Sequence, residues 1–221
     1  MGREGVLLAQ AEVPAPLRHD LELMPTIAEL CERHVVRPGD LGRLYVSIGP
    51  GSFTGLRMGI ATARMIARAT GARLVAVPTL DILAQNALAD PAAPLYAAAC
   101  VTLKADWVYA GLFNVHSGAL VPLGEADQRP LKDWLAGWPE GVRLYGAPLP
   151  ELPPDYVGRA TVAGSPYDVP HAQALWRLGE RLAGQGVFTD PAALVPLYVR
   201  PPDAVEVWDA KDAAATASRN T

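Results

Sequence analysis

Between residues 44 and 77 the chain reads strand, glycine-rich turn, helix, strand, and that order leaves few folds open. Leu44-Tyr45-Val46-Ser47-Ile48 is a short apolar run, followed by the turn Gly49-Pro50-Gly51-Ser52-Phe53-Thr54-Gly55. Helical spacing then holds over residues 56–70 until Gly71, and Leu74-Val75-Ala76-Val77 is a second strand closed by Pro78. Two strands joined through a helix lie parallel in one sheet, with the helix on its face. The spacing therefore predicts an α/β layered architecture, continued by a helix over 80–89 with Thr79 as its N-cap.

The flanks fill in the rest. A turn at Arg3-Glu4-Gly5 introduces a short strand over 6–10, and a proline-containing link at 13–16 leads to Asp20, a candidate N-cap. In the helix expected over 21–34, Leu23, Ile27, Leu30 and Cys31 form one stripe, and Pro38-Gly39 ends it. At Asp90-Pro91 the pattern restarts. Strands over 95–103 and 107–115 are expected to pair around Lys104-Ala105-Asp106, and the irregular stretch 138–170 holds short strands at 143–145 and 160–162. A last helix is expected from Asp168 to Gly184, with Pro170 in its first turn, then an extended segment over 196–200. The expected organisation is a first lobe over 1–90, a second over 91–202, and a disordered tail over 203–221.

Composition bounds the chemistry. Half of the 221 residues are apolar and 19% are charged, enough to bury a core. The longest apolar run, residues 95–101, falls far short of the roughly 20 residues a membrane helix needs. No basic-then-apolar leader stands at the start, and Cys31 and Cys100 read as buried thiols of a reducing compartment, so a cytoplasmic protein is expected. A net charge of −4 gives no long-range attraction for nucleic acid.

Two features point to binding. The first is the glycine loop: Gly49, Gly51 and Gly55 offer unusual backbone angles, while Ser52 and Thr54 can cap the helix. Backbone N–H groups at such a helix start suit an anion, yet a plain strand-to-helix turn explains the residues equally well. Leu56 stands where a phosphate-binding loop carries Lys, and the glycine spacing is not that of a dinucleotide fold. The second feature is the helix itself. Leu56, Ile60, Ala63 and Ala67 form one face, Met58, Ala61 and Met65 the opposite one, and Arg57, Arg64 and Arg68 a strip between. Two opposed apolar faces mean cover on both sides: the sheet on one, and either the preceding helix or a partner on the other. The arginines are either a solvated face or a match for an acidic partner.

Catalytic constellations are not apparent. His19, His34, His116 and His171 make no ligand pair, Ser52 lacks a nucleophile elbow, and the carboxylates are scattered. No metal site, no cofactor and no catalytic residue are expected.

The run Gly49-Pro50-Gly51-Ser52-Phe53-Thr54-Gly55-Leu56-Arg57-Met58-Gly59, with Val75-Ala76-Val77-Pro78-Thr79-Leu80 after it, resembles the bacterial TsaB (YeaZ) family. Arg18-His19, the segment 102–109 and Pro196-Leu197-Tyr198-Val199-Arg200-Pro201 match more loosely. The resemblance implies a two-lobed actin/Hsp70/sugar-kinase-like (ASKHA) fold. It implies a non-catalytic accessory subunit in making threonylcarbamoyladenosine at adenosine 37 of tRNA. Its partners would be the catalytic paralogue TsaD and the ATPase TsaE, with tRNA met only indirectly. Leu23, Ile27 and Leu30 of one helix and the Met58/Ala61/Met65 face of the next would form that interface, or a homodimer through the same surface. The family opens with a strand and an Asp-Thr-type loop, whereas this sequence starts inside the following hairpin, so a first lobe lacking its first strand is expected. A start codon assigned too far downstream is favoured over true loss, because a missing central strand strips its neighbours of backbone partners. Thr102 stands where the family's second lobe opens with Asp, which disfavours nucleotide binding. The alternatives are a glycoprotease-like peptidase and a stand-alone phosphate or nucleotide binder at the glycine loop.

Overall fold

Two sheets and five α-helices make up the body of the computed structural model, which describes residues 1–13 and 19–199. The expectations for the link at 14–16, for Arg18, for Arg200-Pro201 and for the tail lie outside the described residues. A small hairpin, β1 (Gly2–Arg3) with β2 (Val6–Leu7), turns at Glu4 and Gly5, both at positive φ. Its strand is shorter than the sequence suggested because only two residue pairs lie in register. Helix α1 (His19–Arg33) begins before Asp20, so Asp20 sits inside the helix and not at its cap.

The first sheet is the predicted crossover: β3 (Arg43–Gly49), α2 (Phe53–Thr70) and β4 (Arg73–Pro78), with β3 and β4 parallel. Alternation along the strands sorts side chains to two faces. Val46 and Leu74 meet Ile60 and Ala67 of α2, whereas Val75 and Val77 meet Ala174 and Leu178 of α5 (Ala172–Gly184). That last helix starts at Ala172 and not at Asp168, because His171 has extended φ/ψ. Residues 172–197 thus return to the first sheet: Thr189 N–H donates to the Leu74 carbonyl at 2.8 Å, and Leu194 is buried beside Val46 and Ile60.

The second sheet has the strand order β10 (Ala160–Val162), β9 (Val142–Tyr145), β5 (Tyr96–Lys104), β6 (Trp107–His116), β7 (Ala119–Pro122), with β8 (Asp127–Pro130) also pairing with β6. The β5–β6 hairpin turns where predicted, with Ala105 at positive φ. One face carries Ala98, Cys100, Val108 and Ala110 against Leu131, Trp134 and Leu135 of α4 (Leu131–Gly137). The other carries Ala99 and Phe113 against Leu80, Leu83 and Ala84 of α3 (Thr79–Ala84). Helix α3 is shorter than expected and passes into a 3₁₀ turn at Gln85–Leu88. Thr79 does not cap it; its hydroxyl is 2.9 Å from that of Ser47 on β3, and Pro78 holds the cap position. Because Ile82 turns to the α5 side, this buried helix joins the two sheets.

Past α3 the connection is pinned. The Asn86 side-chain amide donates to the carbonyls of Tyr167 and Val169, each at 2.7 Å. Asp90, with 2% of its side chain exposed, accepts from Arg143 Nε at 2.7 Å, Tyr145 OH at 3.1 Å and the Ala92 N–H at 2.9 Å. Burial alone pushes this carboxyl up, but those donors outweigh it and hold the group below its ordinary range.

Candidate partner-binding face

The glycine loop builds the start of α2 with internal partners. Ser52 is the N-cap: its Oγ accepts the Gly55 N–H at 3.3 Å, and its carbonyl accepts the Leu56 N–H at 2.8 Å. Phe53, Thr54 and Gly55 already belong to the helix, so Thr54 is not a second cap. Of the loop glycines only Gly49 has a positive φ, at 108°. A Cβ there would lie 2.8 Å from Leu56 Cδ1 and 2.9 Å from the Leu197 carbonyl oxygen, so the position requires glycine twice over. Gly51 and Gly55 are not at positive φ, contrary to the conformational reason given for them.

That close approach comes from the segment expected to be extended over 196–200, a strap whose docking on the glycine loop the sequence did not reveal. Leu197 N–H donates to the Ile48 carbonyl at 2.7 Å, and Tyr198 OH accepts from Arg57 Nε at 3.0 Å. Arg57 also lies over the Phe53 ring, 3.9 Å from its centroid, and Phe53 meets the Tyr198 ring at 5.2 Å. Arg57 is therefore committed to an aromatic cluster, while Arg64 and Arg68 are exposed along the helix. The only sequence signal for this cluster was the pair of aromatic residues far apart in the chain, which no spacing rule connects.

The two apolar faces of α2 have different fates. Ile60 and Ala67 are each 4% exposed against the sheet, with Leu56 and Ala63 half-buried beside them. On the far side Met58 is half-buried, Ala61 is exposed, and Met65 is 65% exposed. Helix α1 lies alongside α2, with Leu23, Ile27 and Leu30 half-buried and Met24 48% exposed. Its cover stops short of Ala61 and Met65. The result is a ridge of small and thioether side chains open to solvent, suited to close packing by another helix.

Other chemistry is sparse. Among the described residues no group of three His, Cys, Asp or Glu is placed to hold a metal, and no helix is long and apolar enough to cross a membrane. Both cysteines are free, Cys100 buried and Cys31 half-buried. Thr102 Oγ1 donates to the Pro148 carbonyl.

Comparison with known proteins places this geometry among relatives. Residues 14–118 match the family model described as TsaD, tRNA N6-adenosine threonylcarbamoyltransferase. The tRNA threonylcarbamoyladenosine biosynthesis protein TsaB of Bacillus subtilis is 29% identical over 135 residues, 60% of this chain and 57% of that protein. The Escherichia coli TsaB is 31% identical over 84 residues, 38% of this chain and 36% of that protein. This chain thus aligns with little more than half the length of the Bacillus relative. A crystal structure from Pseudomonas aeruginosa, described by its similarity to peptidase YeaZ, superposes with a TM-score of 0.74 at 26% identity, covering 90% of this chain and 91% of that one.

Proposed function

We propose a scaffold role on one premise: the chain belongs to the family of TsaB and YeaZ. In this reading it is an accessory subunit for threonylcarbamoyladenosine at adenosine 37 of tRNA, with an ASKHA-like arrangement of lobes. It transfers no group itself. Helices α1 and α2 pair with a TsaD-type catalytic paralogue, the ATPase TsaE joins that assembly, and a homodimer uses the same face when the paralogue is absent.

One observation carries the reading: α2 is apolar on both sides, and the side bearing Ala61 and Met65 is left uncovered by the described residues. A face of that kind gains by excluding water against a second helix. Ala61→Arg places a charge in the middle of the ridge, where an interface would strip it of water without a partner. Co-purification of tagged Ala61→Arg with the TsaD-type paralogue is expected to vanish, while its melting temperature stays within about 2 °C of the parent because the site is exposed. Undiminished capture by the folded variant overturns the interface.

A further inference from the structure

We propose that the cleft between α3, β6 and the link from β7 to β8 binds a small amphipathic cation, a single ring-sized apolar group carrying an ammonium, with Asp81 as its anionic contact. The cavity there has a volume of about 200 Å³. Leu80, Tyr109, Phe113 and Leu197 supply apolar wall, and Asp81 is the one charged residue in the lining. An apolar cavity of about 150 Å³ holds benzene, so this volume accommodates one ring and a short arm.

The charges around the cleft select the sign of the guest. Asp81 stands on α3 and is open to solvent on one side, which leaves a way in. Among the described residues its carboxylate has no hydrogen bond or ion pair; Arg181 on α5 acts on it only from a distance. Burial of part of the group raises its pKa, meaning that the anion is short of solvation which an ammonium would restore. Tyr109 lines the same cleft, and burial together with Asp127 and Asp81 raises its pKa too, so the phenol keeps its proton and its oxygen remains an acceptor. Asp127 is already engaged, by the Gln128 N–H and by Arg129 Nε at 3.2 Å. With Asp127 offset by Arg129, Asp81 is the charge that lines the cleft, and its carboxylate disfavours an anionic guest. The ring has a floor as well: a Cβ on Gly111 would fall 3.5 Å from Ala126, 3.6 Å from Phe113 and 3.7 Å from Leu80.

Saturation-transfer NMR on the full chain at pH 7, with benzylamine, benzyl alcohol and benzoate as probes, tests this. Benzylamine is expected to bind with a Kd of about a millimolar, benzyl alcohol about fivefold more weakly, and benzoate not at all. Asp81→Asn brings benzylamine down to the level of benzyl alcohol and leaves the alcohol unchanged. Gly111→Ala, whose new methyl meets only ordinary contact distances, weakens both ring probes. No benzylamine binding, equal binding of benzylamine and benzoate, or indifference of benzylamine to Asp81→Asn each overturns the assignment. Because the readout is amine binding and not partner capture, its failure leaves the scaffold reading standing, and the reverse holds too.

Discussion

The first sheet and the second solve the problem of burial in opposite ways. The second has six strands, and residues 79–163 supply the helix on each of its faces. The first has two paired strands among the described residues; a helix drawn from beyond residue 171 closes one of its faces, and Leu194 from the same stretch is buried on the other, beside Val46 and Ile60. A broad sheet meets its hydrogen-bonding needs internally, whereas a narrow one borrows cover from distant chain. The borrowed cover also shapes the candidate site, since Leu197 and Tyr198 sit against the glycine loop that starts α2.

The contrast can be broken by substitution. The largest effect is expected in the second sheet from Gly146→Ala: a Cβ there would lie 2.0 Å from the Cys100 carbonyl oxygen, at a φ of +150°. Backbone meets backbone, so relief requires moving a strand, and urea unfolding should register a loss on the order of 4 kcal/mol. A smaller effect belongs to the junction. Asp90→Asn deprives the half-shielded Arg143 of its partner and should cost about 2 kcal/mol at pH 7. Since the native carboxyl titrates below its unfolded value of about 3.9, its contribution is complete above roughly pH 5 and is lost as pH falls through the folded value. Urea midpoints measured from pH 7 down to pH 3 should therefore fall more steeply for the parent than for the variant. The least costly change is Tyr198→Phe in the strap. It removes an exposed hydrogen bond worth about 0.5 kcal/mol, and faster hydrogen exchange at the Leu197 amide, with the β5 amides unaltered, would confirm that the strap opens alone.

What could be read from the residues follows the range of the forces involved. Helix α2 was legible because its period, its Ser52 cap and its Gly71 stop are all local, Gly71 adopting the left-handed conformation at φ 76°. The β5–β6 hairpin was legible for the same reason. The second apolar face of α2 followed from period, which left open whether the preceding helix covers it; Ala61 and Met65 are found exposed. Long-range polar contacts were not legible. Thr79 has the composition of an N-cap, but Ser47, 32 residues earlier, takes its hydroxyl. Asn86 reads as a helix residue and Asp90 as a loop residue in the sequence, yet both are buried with partners more than 50 residues away. The strands β7 and β8 were missed because each is four residues long and mostly exposed, so neither carries an alternating pattern.

The return of residues 172–197 to the first sheet has a bearing on biosynthesis. Translation delivers β3, α2 and β4 more than a hundred residues before Leu194 can reach its place beside Val46. On the ribosome this early layer waits with an apolar flank bare while the later one is able to close on itself. Nascent chains halted at residue 165 should consequently recruit holdase chaperones through the segment that was made first.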